Sequence, residues 1–221
     1  MDLKRHLMPG NQSSAVEAFI RQLTSRFSVK DLGMLNRFLG MEVIPHPDGL
    51  FLSQRQYTLH ILETCNMHEA REAPTPMSSN SSLHITDGHV SADASQYRRA
   101  IGLLQYLAFT RPDISFAVNR LTQFMHAPTD VHWQGVKRIL RYLKGTLDFG
   151  LFLNRLSPMT ISVFSDSDWG GVHDGGKSTT AYVIYLGSNI ISWKSAKQKT
   201  VSRSSTEAEY RAVAHASAEL L

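Results

Sequence analysis

Apolar residues recur along this chain with two periods, and the changes of period mark its elements. Val16, Phe19, Ile20, Leu23 and Phe27 keep the three-and-four spacing of an amphipathic helix, and Ser14 with Glu17 reads as its capping box. Residues 35–45 turn apolar and stop at His46-Pro47-Asp48-Gly49, a turn signal, before Leu50-Phe51-Leu52. These signals predict a hairpin. Ser53 and Gln56 are placed to cap the next helix, on which Tyr57, Ile61 and Cys65 share a face. Between Ala73 and Ser95 the composition passes to Pro, Ser, Asn and Gly, as in a linker or long surface loop.

Residues 95–144 return to the helical period and read as three helices, punctuated by Pro112 and Pro128. Each proline removes a backbone donor and suits a first helical turn. On the last helix Val136, Ile139, Leu140 and Leu143 form the stripe expected to be buried. Lys137, Arg141 and Lys144 share another face, Arg138 is their neighbour in sequence, and Gly145 ends the helix. From Ile161 the pattern becomes that of strands, at 161–169, 178–187 and 189–195. Gly170-Gly171, Gly175-Gly176 and Gly187-Ser188-Asn189 separate them as hairpin connections would. Ser204 with Glu207 then opens a final helix. The expected fold class is α+β (α/β).

Composition narrows what such a chain can be. With 221 residues and 42% of them hydrophobic, it can bury a core without disulfides. Cys65 is the only cysteine, which excludes a disulfide framework and an all-cysteine metal site and suits a reducing compartment. No apolar run approaches the roughly 18 residues of a membrane span. Met1 to Gly10 lacks the apolar core of a secretory signal. An intracellular location in cytoplasm, nucleus or organelle is the expectation.

The net charge of +4 is unevenly distributed. Residues 95–150 hold 8 Lys and Arg against 3 Asp and Glu, whereas residues 1–94 are slightly acidic. A block of this kind suits either a polyanion-facing surface or a solvated helical face. Residues 175–206 contain no acid and carry Lys177, Lys194, Lys197, Lys199 and Arg203 among hydroxyl side chains, the residue types that contact a phosphate backbone.

Asp166 and Asp168 are two apart on one expected strand and therefore share a face, while Glu207 and Glu209 fall in the first turns of the following helix. Carboxylates gathered without cationic partners repel one another and commonly hold a divalent cation. Acids in a first helical turn also complement the helix dipole, so spacing leaves both roles open. No phosphate-cradling glycine loop, nucleophile elbow or zinc spacing occurs, which excludes most common nucleotide-binding and hydrolase readings. His60, His68, His126 and His215 show no paired spacing.

Taken in order, KDLGMLNRFLGMEV (30–43), DGLFLSQRQYTLHIL (48–62), YRRAIGLLQYLAFTRPDISFAVNRL (97–121), HWQGVKRILRYLKGT (132–146), SDSDWGG (165–171) and ISWKSAKQKTVSRSSTEAEYRAV (191–213) resemble the polyprotein of copia-type LTR retrotransposons. The resemblance runs from about Gly10 onward. It implies that residues 1–72 are the C-terminal part of a reverse transcriptase palm, that 73–94 are a linker or loop, and that 95–155 are a helical thumb/connection-like region. Residues 159–221 would be the N-terminal part of a ribonuclease H-like domain, a mixed sheet with a helix. Within the hairpin, Phe38-Leu39-Gly40-Met41-Glu42 is similar to the primer grip, which places the primer 3′ end. Lys137, Arg138, Arg141, Lys144, Lys194, Lys197, Lys199 and Arg203 would bind nucleic acid. Asp166 matches the first catalytic aspartate and Glu209 the helix glutamate, both also metal ligands. Glu207 fits a capping role better. The implied cofactor is Mg²⁺ (or Mn²⁺), and the implied partner is an RNA–DNA hybrid or duplex, with no membrane.

Two departures shape the expectation. The family's paired polymerase aspartates belong just before the position of Gly10, where this chain has Asp2-Leu3-Lys4-Arg5 and no Asp-Asp dipeptide anywhere. A third ribonuclease H aspartate belongs on a strand after the last helix. The chain is therefore expected to be a fragment missing flanking polyprotein segments, without polymerase activity and with at most residual Mg²⁺-dependent RNA cleavage through Asp166 and Glu209. The alternatives are a non-catalytic nucleic-acid-binding remnant and a retroelement fragment with no function.

Overall fold

The structure, a computed structural model, describes residues 13–28, 35–78, 83–84, 87–89, 93–170 and 175–220. Asp2 to Arg5 and Gly10 lie outside them, as does the Ser14 side chain expected to cap the first helix. Helix α1 (Ser13–Arg26) forms where its periodicity predicts, with Phe19 and Phe27 exposed.

The apolar run 35–45 is two strands. β1 (Arg37–Phe38) turns at Leu39-Gly40 into β2 (Met41–His46), which turns again into β3 (Gly49–Ser53). Leu39 and Gly40 have φ of 47° and 73°, and positive φ at both central residues is what a two-residue type I′ turn requires. The usual signal for that turn is Asn-Gly or Asp-Gly, so Leu-Gly passed as strand. Helix α2 (Arg55–Thr64) follows, and here the expected Ser53–Gln56 box does not form. Its N-cap is Gln54, without a side-chain cap bond. Instead Ser53 Oγ accepts the Arg55 N–H at 3.1 Å, and Glu42 Oε1 from β2 accepts the Gln56 N–H at 3.3 Å. The sheet itself satisfies the helix end.

Three helices then appear as predicted: α3 (Ala94–Leu107), α4 (Pro112–Thr122) and α5 (Asp130–Gly145). With α2 they enclose one core that includes Ile61, Ile101, Leu104, Leu121 and the α5 stripe Val136, Ile139, Leu140 and Leu143, each 0% exposed. Leu83 is buried in the same core, and the Ala73 N–H donates to the Arg141 carbonyl, so both residues help close it. Thr129 and His132 cap α5 reciprocally: Thr129 Oγ1 accepts the His132 N–H, and His132 Nδ1 accepts the Thr129 N–H.

β4 (Gly150–Asn154) was not anticipated within the helical region. It pairs antiparallel with β3, from Gly49 opposite Asn154 to Ser53 opposite Gly150, giving the order β1-β2-β3-β4. Its partner lies about a hundred residues upstream, and no local pattern reports such a pairing.

The second sheet is β5 (Ile161–Ser167), β6 (Thr179–Leu186) and β7 (Asn189–Lys197), in that order, followed by α6 (Ser205–Ala218). Every ladder among the described residues is antiparallel, so the parallel pairing that a mixed sheet needs is not among them. Helix α6 lays Ala208, Ala212 and Ala216 on the sheet, with Ala216 against Tyr182 and Ile184. The opposite face meets α4 along β7, where Asn119 Nδ2 donates to Ser195 Oγ at 3.4 Å. At the β6–β7 turn the Asn189 amide accepts the Asn154 N–H at 2.7 Å and donates to the Asn154 carbonyl at 3.0 Å. β7 is thus docked on the first unit, and β5 is an edge among the described residues. The fold is α+β.

Candidate nucleic-acid interface

The β1–β2 turn presents Leu39, 68% exposed, and Phe38, 39% exposed, with Gly40 beside them. Met41 and Glu42 are half-buried, and Glu42 is engaged with the Gln56 N–H. Tyr106, near the end of α3, supports the turn: its hydroxyl donates to the Leu39 carbonyl. Gly40 passes so close that a Cβ there would come within 3.2 Å of the Tyr106 oxygen. Tyr57 and Phe109 brace the Tyr106 ring edge-on, with centroids 5.1 and 5.9 Å away. The hairpin tip is therefore an exposed apolar knuckle on an aromatic seat.

Of the cations expected on α5, two are occupied within the chain. Arg138 Nη2 donates to Thr75 Oγ1 at 2.8 Å, and Arg141 Nε donates to the Arg71 carbonyl at 2.6 Å. Both pin the segment 71–75 onto the helix. Lys137 and Lys144 are half-buried. Helical spacing gave these residues a common face but could not show that an upstream loop lies on it. Lys194, Lys199 and Arg203 are exposed, while Lys197 Nζ donates to the Lys177 carbonyl at 3.2 Å.

The acids divide by role. Asp168 lies just past β5, and its carboxylate accepts the Thr179 N–H while its own N–H donates to the Thr179 carbonyl, so it closes the β5–β6 connection. Glu207 accepts the Arg203 N–H at 2.7 Å and Arg211 Nη2 at 2.6 Å. The Arg203 N–H first, then the Arg211 charge, hold its carboxyl below the usual glutamate value. Asp166 and Glu209 are exposed, and Asp166 Oδ1 accepts the Ser167 N–H at 2.9 Å.

Strand alternation puts Asp166 on the face of Phe164, whose ring meets Tyr185 edge-on at 5.9 Å. Helix α6 covers the other face. Glu209 follows Ala208 of its buried stripe by one residue, about 100° round the helix, and so flanks that stripe. Arg211 flanks the opposite side, where it donates to Thr200 beyond β7. Glu209 is thereby on the β5 side, and the two acids approach the edge strand from its two faces.

Gln198, which spacing did not single out, ties this end together. Its Nε2 is 3.2 Å from Ser167 Oγ, the residue after Asp166, and 3.0 Å from the Ala208 carbonyl, the residue before Glu209. Its Oε1 accepts Ser202 Oγ at 2.7 Å. Gln198 is only 4% exposed although it stands between Lys197 and Lys199, and burial is what sequence alone does not display.

A hard cation such as Mg²⁺ demands near-octahedral oxygen coordination. Among the described residues no group of three or more His, Cys, Asp or Glu side chains could hold a metal ion. Asp166 and Glu209 fit such an ion in donor type but not in number.

Comparison with known proteins follows the same line. Residues 4–79 match the family model for reverse transcriptase (RNA-dependent DNA polymerase). The retrovirus-related Pol polyprotein from transposon RE2 of Arabidopsis thaliana is 50% identical over 97% of this chain, which covers 15% of that polyprotein. The Pol polyprotein from transposon TNT 1-94 of Nicotiana tabacum is 33% identical over 97% of the chain, covering 17% of its length. An uncharacterized mitochondrial protein of Arabidopsis thaliana is 45% identical over 97% of the chain and 89% of its own length. The chain thus spans about one-seventh of the first of these polyproteins. No solved structure matches it.

Proposed function

Since the chain belongs with the retrovirus-related Pol polyproteins of copia-like transposons, as a reverse transcriptase-like part of one, we propose that it holds an RNA–DNA hybrid or duplex rather than carrying out the polymerising step. The observation that carries this reading is the exposed hairpin tip Phe38–Gly40. It keeps a leucine in the left-handed region, where a non-glycine residue is strained, and strain of that kind gathers at functional contacts. In this reading residues 1–72 end a palm, 95–155 serve as thumb and connection, and the tip lies against the primer strand. Residues 159–221 begin a ribonuclease H-like unit, and Lys194, Lys199 and Arg203 meet phosphates.

The shortage of carboxylates favours binding without cleavage, so RNA cleavage through Asp166 and Glu209 with Mg²⁺ or Mn²⁺ is at most residual for these residues by themselves. Lys137 and Lys144 supplement the contact; Arg138 and Arg141 act on it only through the loop they hold.

The test is anisotropy of a labelled RNA–DNA hybrid across a salt series. Affinity should fall linearly on logarithmic axes, because each neutralised phosphate releases counterions, and replacing Lys194, Lys199 and Arg203 together by Ala should flatten the slope by about 2–3. Salt-indifferent binding, or an unchanged slope in the triple variant, would remove the proposal.

A further inference from the structure

Two hydrogen bonds converge on the last turn of α3 from opposite parts of the molecule. The Tyr106 hydroxyl donates to the Leu39 carbonyl in the hairpin tip. Two residues on, the Ala108 carbonyl accepts the indole N–H of Trp193 from β7 at 3.2 Å. Both residues belong to the C-terminal end of α3, so one helix end carries the tip on a side chain and the second sheet on its cap carbonyl.

Neither bond belongs to a helix or a ladder. Ala108 is the C-cap of α3, and its carbonyl is among those a helix end leaves without an internal partner. The indole N–H can only donate, so Trp193 fixes both direction and distance. Tyr106 has little freedom either, held between Tyr57 and Phe109.

From this mount a row of cross-strand neighbours, Trp193, Val183 and Phe164, crosses the sheet to β5. Strand spacing and rise then set Asp166 about 12 Å from Trp193.

We propose that Tyr106 and Trp193 are positioning residues: together they set the distance between the hairpin tip and the Asp166-bearing sheet, so that a duplex touching both is held in one register. The register half of this rests on reading the tip and the sheet as duplex contacts; the distance half does not.

The test separates the two. In a Cys65→Ala chain carrying spin labels at Arg37→Cys on β1 and Ser217→Cys on α6, the parent gives one narrow distance maximum. Tyr106→Phe removes only the hydroxyl, and the released tip gains roughly fivefold in population, the weight of one net hydrogen bond. Trp193→Phe removes the indole bond and leaves the sheet held by the Asn189 turn and the Asn119–Ser195 contact, which broadens its position. Both variants lose the single narrow maximum. Phe116→Ala, an exposed aromatic in neither bond, keeps it.

Hydroxyl-radical footprinting of an RNA–DNA hybrid reads the second half: the parent protects two patches at fixed spacing, and the spacing becomes variable with Trp193→Phe. Distances unchanged in both variants overturn the mount. A parent chain that protects no hybrid overturns the register and the duplex reading with it, while the spin-label distances still decide the mount.

Discussion

Arg111 occupies the N-cap of α4 with a side chain 3% exposed, and each of its three guanidinium nitrogens donates a hydrogen bond. Nε and Nη2 donate to the Asp113 carboxylate at 3.0 and 2.7 Å, Nη1 to the Thr146 carbonyl at 3.0 Å, and Nη2 to Thr146 Oγ1 at 2.7 Å. Tyr142 adds its hydroxyl to Asp113 at 2.8 Å. Burial pushes the Asp113 carboxyl up, but the Arg111 bonds and charge, with the Tyr142 hydroxyl, more than reverse this and leave it below its usual value. A carboxyl depressed in the folded state contributes stability that is complete above the unfolded value and is lost as pH falls through the folded one. The urea midpoint should therefore drop on acidification below the ordinary aspartate range. Arg111→Met should lower stability by about 3 kcal/mol at neutral pH, the lower end for breaking a buried pair because Asp113 is partly exposed, and should flatten that acid limb. An acid limb of the same height in the variant would show that the pair is not its source. Charge counting placed Arg111, Arg138 and Arg141 in a block available to a polyanion. Residue type was legible, but burial and internal partners were not.

The β1–β2 hairpin shows where local rules fail for a reason. A type I′ turn favours Asn-Gly, yet the chain has Leu39-Gly40, with the leucine exposed. A left-handed conformation costs an ordinary side chain about 1–2 kcal/mol, and Asn tolerates it better. Leu39→Asn should accordingly raise stability, by up to about 1 kcal/mol, while weakening hybrid binding through the lost apolar contact. A variant that gains stability and binds the hybrid unchanged would show that the leucine is incidental to binding. Elements built on local periodicity were readable: α3 to α5 and β5 to β7 lie where spacing put them, because one strong stripe or alternation decides each. The tip and β4 were not readable, since one lacked its turn signature and the other is specified by a partner far away in sequence.

At the scale of the whole molecule the two units draw on unequal cores. Among the described residues, the first buries 19 apolar side chains in one cluster, whereas the second has a cluster of three, Tyr182, Ile184 and Ala216. Docking through β7 adds to what so small a core supplies. That docking was illegible in a sequence that changes cleanly from helical to strand pattern at Ile161, because a change of period looks like a domain boundary whether or not the units are welded. Asn189 is the residue on which the weld can be tested, for its amide satisfies both backbone groups of Asn154 at once. Asn189→Ala leaves the Asn154 N–H unpaired and its carbonyl with only the Ser157 N–H at 3.4 Å, a loss of about 1–3 kcal/mol. The loss should fall on one unit only. Hydrogen exchange in β5, β6 and α6 should accelerate, while amides of α3, α4 and α5, protected by their own core, keep the parent rates. Equal acceleration in both units would mean that they unfold as one body. The small sheet would then take its stability from global cooperativity rather than from the β7 docking.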